Sequence, residues 1–92
     1  MTKNKIKKVA EYYKECLNCR AERYTPDEKI GRSFSDGVVI LKHCRYMVNE
    51  ILSFLEQNRI EKALRWLGFL QGCLWATGVF SLDELKGHNK PS

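Results

Sequence analysis

Residues 59–85 read RIEKALRWLGFLQGCLWATGVFSLDEL, and this stretch decides the fold of the chain. Its apolar residues recur at i, i+3, i+4 and i+7, which is the spacing of a helix that buries one face. The residues on this stripe are Ile60, Ala63, Leu64, Leu67, Leu70 and Leu74. The spacing predicts a helix over Arg59–Thr77, with Asn58 as its N-cap residue and Gly78 as the residue that ends it.

Two glycines lie inside this predicted helix, and each costs roughly 1 kcal/mol relative to alanine. Gly68 and Gly72 are four residues apart and therefore share a face. We expect another backbone or a ligand to lie close against that face, because glycine permits close approach. Trp66 and Trp75 are expected to anchor a core or an interface rather than to stack on a ligand. The stretch thus predicts a tight contact between helices and not a reactive centre.

A second, shorter helix follows the glycine stop. Ser81 and Glu84 are three residues apart, as in a capping box, and they predict a helix over residues 82–86 that folds back on the long helix. Gly87 is expected to end this helix, and residues 88–92 are expected to be disordered.

Two further helices precede the quoted stretch. Apolar residues at helical spacing predict a first helix over Lys3–Arg23 and a second over Asp36–Gln57, with an irregular segment at 24–37. Because the connection between the second and third helices is short, these two are predicted to form an antiparallel hairpin. The sequence therefore predicts one all-α domain over residues 1–92, with three main helices, a short C-terminal helix and a disordered start at residues 1–2.

The composition and the charge limit the classes of partner that this chain can bind. Hydrophobic residues make up 43% of the 92 residues, more than a small helical bundle buries, and self-association is expected to cover the excess. The formal net charge of +5 permits an anionic partner, although it also serves solubility. The sequence shows neither a secretory signal nor an apolar run that spans a membrane, so we expect a cytoplasmic protein with reduced thiols and no membrane partner.

Metal and catalytic motifs are weak in this sequence. Cys16 and Cys19 form a CxxC motif inside the first predicted helix, and His43 and Cys44 could supply two more soft ligands. A structural zinc site usually pairs two such motifs, so we predict no metal and keep these four residues as a minor alternative. His43 and His88 have no carboxylate or nucleophile at the spacing of a catalytic unit, so we predict neither an enzyme nor a cofactor.

Basic residues offer two routes to an anionic partner. The first is a contact lined by aromatic residues and glycines and flanked by cations. Its predicted residues are Lys42, Arg45, Arg65, Trp66, Gly68, Gly72 and Trp75. The second is nucleic-acid binding by the basic start of the first helix. Its predicted residues are Lys3, Lys5, Lys7 and Lys8.

The C-terminal third of the sequence resembles a bacteriophage family. Residues 62–85 carry KALRWLGFLQG, then LW, a glycine and LDEL, and are similar to the C-terminal RWLGFxQGxLW signature of small, mostly uncharacterised proteins of tailed bacteriophages. The resemblance implies a small phage accessory protein made inside the bacterial host, and it implies no activity. Arg65-Trp66-Leu67 also resembles the Arg-Trp-Leu run of phage sponge proteins, which are short, helical and oligomeric and sequester the cyclic-nucleotide signals of host defence.

These observations predict a small, non-enzymatic phage protein that forms a homo-oligomer. It is expected to bind and sequester a host protein or a small anionic ligand such as a nucleotide, in host takeover or anti-defence. The alternative is a nucleic-acid-binding accessory protein that uses its basic first helix, whose binding would weaken steeply with salt.

Overall fold

A computed structural model describes residues 1–23 and 32–90 of the chain, with side chains over 1–18 and 39–90. This part of the chain contains four α helices and no strand. The helices are α1 (Lys3–Arg23), α2 (Arg32–Glu56), α3 (Ile60–Ala76) and α4 (Leu82–Asn89). α2 and α3 make the most extensive contact, α1 packs mainly on α2 and also touches α3, and α4 returns to α3. The predicted all-α fold, with an α2–α3 hairpin and a short C-terminal helix, is confirmed.

One apolar core lies between the helices, and the predicted stripes build it. The buried apolar side chains are Ile6, Val9, Ala10, Tyr13 and Leu17 from α1, Leu41, Cys44, Met47, Val48, Ile51, Phe54 and Leu55 from α2, Ala63, Leu67, Leu70 and Leu74 from α3, and Val79, Phe80 and Leu85 from the C-terminal segment. Leu64, which the sequence placed on the buried stripe of α3, is exposed because it lies at the edge of that stripe.

The start of α2 differs from the prediction. α2 begins at Arg32 rather than at Asp36. Phe34 and Val38 are four residues apart, so the apolar helical spacing of the sequence continues back into the segment that was expected to be irregular. The rest of that segment, residues 24–31, lies outside the described residues.

The end of α4 also differs from the prediction. α4 continues through Asn89 instead of ending at Gly87. Hydrogen bonds from the side chains of His88 and Asn89 to α1 and α3 hold this extension, and such tertiary contacts override the low helix propensity of glycine. His88 and Asn89 are therefore part of α4 rather than disordered, while residues 91–92 lie outside the described residues.

The turn between α2 and α3 depends on Asn58. Its φ of 61° is the left-handed conformation that ends a helix, and asparagine tolerates it better than most residues. The Asn58 N–H donates to the Leu55 carbonyl at 3.0 Å and the Arg59 N–H donates to the Phe54 carbonyl at 2.8 Å, which is a Schellman arrangement. The prediction that Asn58 caps α3 is therefore wrong: Asn58 ends α2, and Arg59 takes the N-cap position without a side-chain cap bond.

The predicted signals at the end of α3 and at the start of α4 are confirmed. Gly78 has a φ of 76° and its N–H donates to the Trp75 carbonyl at 3.0 Å, as expected of the residue that ends α3. The Ser81 hydroxyl accepts from the Glu84 N–H at 3.2 Å, and the Glu84 carboxylate accepts from the Ser81 N–H at 3.0 Å. This reciprocal pair is the predicted capping box, and it fixes the direction in which α4 leaves the turn.

Thr2 caps the start of α1, although residues 1–2 were predicted to be disordered. The Lys5 N–H donates to the Thr2 hydroxyl at 3.2 Å, and the Ile6 N–H donates to the Thr2 carbonyl at 3.0 Å. These bonds satisfy donors at the first turn and so offset the unfavourable lysines near the positive end of the helix dipole.

Candidate functional site

Gly68 and Gly72 do not lie where the sequence predicted. Both are exposed, and among the described residues a Cβ added at either position would meet no atom within 4 Å beyond the chain neighbours and the backbone of the helix itself. The apolar stripe of α3 turns the opposite face of the helix toward α1 and α2, so the glycine face is left outside the bundle. The predicted tight contact between helices at these glycines is therefore wrong within the part of the chain that the structure describes.

The two tryptophans have different surroundings. The Trp66 ring is partly buried against the core and meets the Phe54 ring edge to face, with 5.1 Å between centroids. Trp75 is 57% exposed. Both tryptophans were predicted to be anchors. Trp66 anchors the α2–α3 contact, whereas Trp75 is not part of the core within the described part of the chain.

An open groove lies between α2 and α3 beside Trp66. It has a volume of about 240 Å³, and its lining residues are His43, Met47, Arg65, Trp66 and Phe69. Two of these five, Arg65 and Trp66, belong to the predicted site. The other three were not predicted as site residues for an organic ligand, because groove formation depends on how α2 and α3 pack and not on spacing along either helix.

A row of aromatic rings crosses from α2 to α3 at this groove. His43 stacks on Tyr46 with 5.8 Å between centroids, and Tyr46 lies 6.5 Å from Trp66, which in turn contacts Phe54. We call these four residues the aromatic row. Tyr46 is exposed, so the row presents ring surface to a ligand as well as packing within the bundle.

Cations surround the end of the aromatic row near the α2–α3 turn. Lys62 Nζ lies 4.7 Å and Arg59 Cζ lies 5.5 Å from the Phe54 ring centroid, within the range of cation–π attraction. A second, shallower hollow lies at the turn, and its lining residues are Asn58, Arg59, Ile60, Glu61, Lys62 and Arg65. Arg65 lines both hollows, so it stands between an aromatic groove and a surface with a net positive charge.

The remaining predicted cations do not line this groove. Lys42 and Arg45 are exposed on α2 and are not among the residues that line the groove. The lysines proposed for nucleic-acid binding lie on the first turns of α1, where Lys3, Lys7 and Lys8 are exposed and Lys5 is partly buried. Of the predicted site residues, the structure thus brings only Arg65 and Trp66 into the lining of the described groove.

The cysteines form no metal site among the described side chains. No group of three or more metal-binding side chains is found there, and the side chain of Cys19 lies outside the described residues. Cys16, Cys44 and Cys73 are free thiols. Burial, together with the nearby Cys73, raises the pKa of Cys44 to about 12, so this thiol remains protonated as part of the core.

A partly buried polar cluster joins α1, α3 and α4, and it was not predicted from the sequence. Gln71 Nε2 donates to the Tyr13 hydroxyl at 2.9 Å and to Asn89 Oδ1 at 2.7 Å, and Asn89 Nδ2 donates to Gln71 Oε1 at 3.1 Å. The Tyr13 hydroxyl lies 2.8 Å from His88 Nδ1. The available signal was Gln71 itself, because its position places a polar amide on the buried stripe of α3.

Burial shifts two ionisable groups in this cluster. It raises the pKa of Tyr13 to about 12, against an opposing contribution from the Gln71 hydrogen bond. It also lowers the pKa of His88 below its ordinary value of 6.5, an effect that Glu84 opposes and Lys5 reinforces. At neutral pH the cluster therefore contains a neutral phenol and a neutral imidazole.

No protein-family model, curated protein or solved structure matches this chain. Over the described residues, none of the helices combines the length and the hydropathy that crossing a bilayer requires.

Proposed function

We propose that this chain is a small accessory protein of a tailed bacteriophage that works by binding and sequestering an anionic partner in the cytoplasm of the bacterial host. The partner is a host protein or a small ligand such as a nucleotide, and the role is host takeover or anti-defence. The observation that carries the proposal is the groove beside Trp66, where one arginine borders an aromatic, apolar wall.

The groove favours a partner that combines a flat apolar part with a negative charge. Trp66 and Phe69 offer apolar surface that gains from excluding water. Arg65 offers a planar guanidinium that pairs with carboxylate or phosphate through two parallel hydrogen bonds. Arg59 and Lys62 at the adjacent turn add positive charge that attracts an anion toward this end of the hairpin. This chemistry is that of binding, and the proposed protein is not an enzyme.

Self-association belongs to the same proposal, and the exposed face of α3 supports it. Phe69 is 63% exposed and lies beside the bare surface of Gly68 and Gly72. An antiparallel two-fold pairing of two copies, centred between these glycines, would place Arg65 of one copy opposite Trp75 of the other. That arrangement is self-complementary, as a two-fold interface requires, and it would pair a guanidinium with an aromatic ring.

The test is binding by the purified chain with a charge-removing variant. We expect the wild type to retain a saturable anionic partner from host lysate or nucleotide pools, and Arg65→Gln to weaken that binding by about tenfold or more, since a charge-assisted pair contributes over 1.4 kcal/mol. Lys42→Gln, which removes an exposed cation outside the groove, is the matched control and should bind as the wild type does. A wild type that is monomeric and retains nothing would contradict the proposal, as would equal losses in the two variants.

The alternative is nucleic-acid binding by the start of α1. Exposed Lys3, Lys7 and Lys8 on consecutive turns favour it, because phosphate contacts need accessible cations. This function predicts a gel shift with DNA or RNA that is lost steeply as salt rises and that survives Arg65→Gln. The absence of a gel shift with DNA and RNA at low salt would exclude this function.

A further inference from the structure

The contact of α4 with the rest of the bundle is small and partly polar. Leu85 is the buried side chain within α4, and the capping box at Ser81 is local to the helix and its turn. The side-chain hydrogen bonds that join α4 to α1 and α3 within the described residues come from His88 and Asn89 at its C-terminal end. Because so little apolar surface holds this helix, the hydrogen bonds at its end contribute a large share of its attachment.

The hydrogen bonds of the cluster are all satisfied when His88 is neutral. Gln71 uses one N–H of its amide on Asn89 and the other on the Tyr13 oxygen. The Tyr13 oxygen is thus an acceptor toward Gln71, and its own proton is free to be donated to His88 Nδ1 at 2.8 Å. His88 must be neutral to accept this proton, with its other ring nitrogen carrying the N–H. In this arrangement no buried polar side-chain atom of the described residues lacks a partner.

We propose that α4 is an acid-released latch, in which neutral His88 holds the helix on Tyr13 and protonation of His88 frees it. Imidazolium has two N–H donors and no acceptor. Once His88 is protonated, the Tyr13 hydroxyl proton loses its acceptor. Tyr13 is 0% exposed, so water does not replace that acceptor until the helix moves away.

The groups that face His88 make its charged form unfavourable in the closed latch. From α1, Tyr12 and Tyr13 present neutral rings with centroids 5.4 Å from the imidazole, and the cation of Lys5 repels a positive charge there. From α4, Glu84 is the one carboxylate among the groups that favour the charged form, and it is exposed and already engaged in the capping box. α3 faces the cluster with Gln71, which is neutral. Burial is therefore the largest of these effects, and it lowers the pKa of His88 in the closed form.

The sign of the pH dependence follows from this balance. Because the pKa of His88 is lowered in the folded chain, the unfolded or released chain binds the proton more readily. The contribution of the latch is fully present above pH 6.5 and is lost as pH falls from 6.5 toward the lowered pKa of the closed form. Over that window the opening equilibrium rises by up to about tenfold for each unit of pH.

Release of α4 uncovers an aromatic surface. The His88 ring packs edge to face on Phe80 with 4.8 Å between centroids, and Phe80 and Tyr13 lie 5.5 Å apart. Both of these rings are buried while α4 is closed. An open latch therefore exposes apolar surface at mildly acid pH, at the end of the molecule formed by α1 and α4, away from the α2–α3 turn.

The test is a titration of the full chain by NMR from pH 8 to pH 5, following His88 and the amide of Leu85. The Leu85 N–H donates to the Ser81 carbonyl at 3.1 Å inside α4, so its protection against hydrogen exchange reports closing of the latch. We expect Leu85 protection to fall along the His88 titration curve while the amide of core residue Leu67 keeps its protection. In His88→Gln, which cannot take up the charge, we expect Leu85 protection to be independent of pH.

His43→Gln removes the other histidine and should leave the pH dependence of Leu85 as in the wild type. Leu85 protection that stays constant while His88 becomes protonated would overturn the proposal, as would a pH dependence in His88→Gln equal to that of the wild type. If α4 of His88→Gln is open at every pH, the wild type alone tests the proposal: Leu85 protection must fall as His88 becomes protonated.

Discussion

Gln71 is the residue at which the apolar stripe of α3 is interrupted. An unpaired buried amide is costly, yet Gln71, only 8% exposed, forms hydrogen bonds with both Tyr13 and Asn89. One side chain thus connects α1 and α4 through α3. A polar residue on a buried stripe is a readable signal of such a cluster, but its partners lie 58 and 18 residues away in the sequence, and no local spacing identifies them.

The first prediction at this scale concerns Gln71→Leu. The change keeps a similar side-chain volume and removes the amide, so the Tyr13 hydroxyl and the Asn89 amide lose partners. We expect the free energy of unfolding to fall by about 1–3 kcal/mol, measured by urea denaturation followed by circular dichroism. Gln57→Ala, at an exposed position bonded to Ser53, is the control and should change stability by less than about 0.5 kcal/mol. Equal effects of the two substitutions would contradict the role assigned to Gln71.

At the scale of the helix, the capping box sets the start of α4. Ser81→Ala removes the hydroxyl that accepts the Glu84 N–H. We expect a loss of about 1 kcal/mol in stability and a loss of hydrogen-exchange protection confined to α4, because the cap acts on that helix alone. Ser81→Asp keeps an acceptor at the N-cap and should retain most of the protection. Unchanged protection in Ser81→Ala would show that the box contributes little.

Local signals predicted the helices well where the cause is local. The bounds of α1 and the box at Ser81 follow from spacing and capping chemistry within a few residues. The prediction for Asn58 was wrong because the same residue serves equally well to begin one helix or to end the one before it, and only the packing of the hairpin decides between them. The extension of α4 past Gly87 was missed because long-range hydrogen bonds hold it.

At the scale of the whole molecule, the groove and the exposed face of α3 show how far a site can be predicted. Arg65 and Trp66 were placed correctly in one surface, since both lie on α3. Phe69 and His43 were not, because their contribution depends on the facing helix. The glycines carried a real signal of close approach, but helical spacing does not say which molecule approaches, and within the described residues no part of this chain does.

Two substitutions on the exposed face of α3 separate its role within one chain from its role between copies. Gly68→Ala places a methyl group in open space on a helix, so we expect a monomer more stable by about 0.5–1 kcal/mol. The same methyl group would hold two copies apart at their closest approach, so we expect self-association, measured by sedimentation, to weaken.

Phe69→Lys should weaken self-association further with little change in folding. Leu82→Lys, also at an exposed apolar residue but on α4, is the control and should leave self-association unchanged. If Gly68→Ala stabilises the fold and leaves association intact, or if both lysine variants behave alike, the copies do not meet across these glycines.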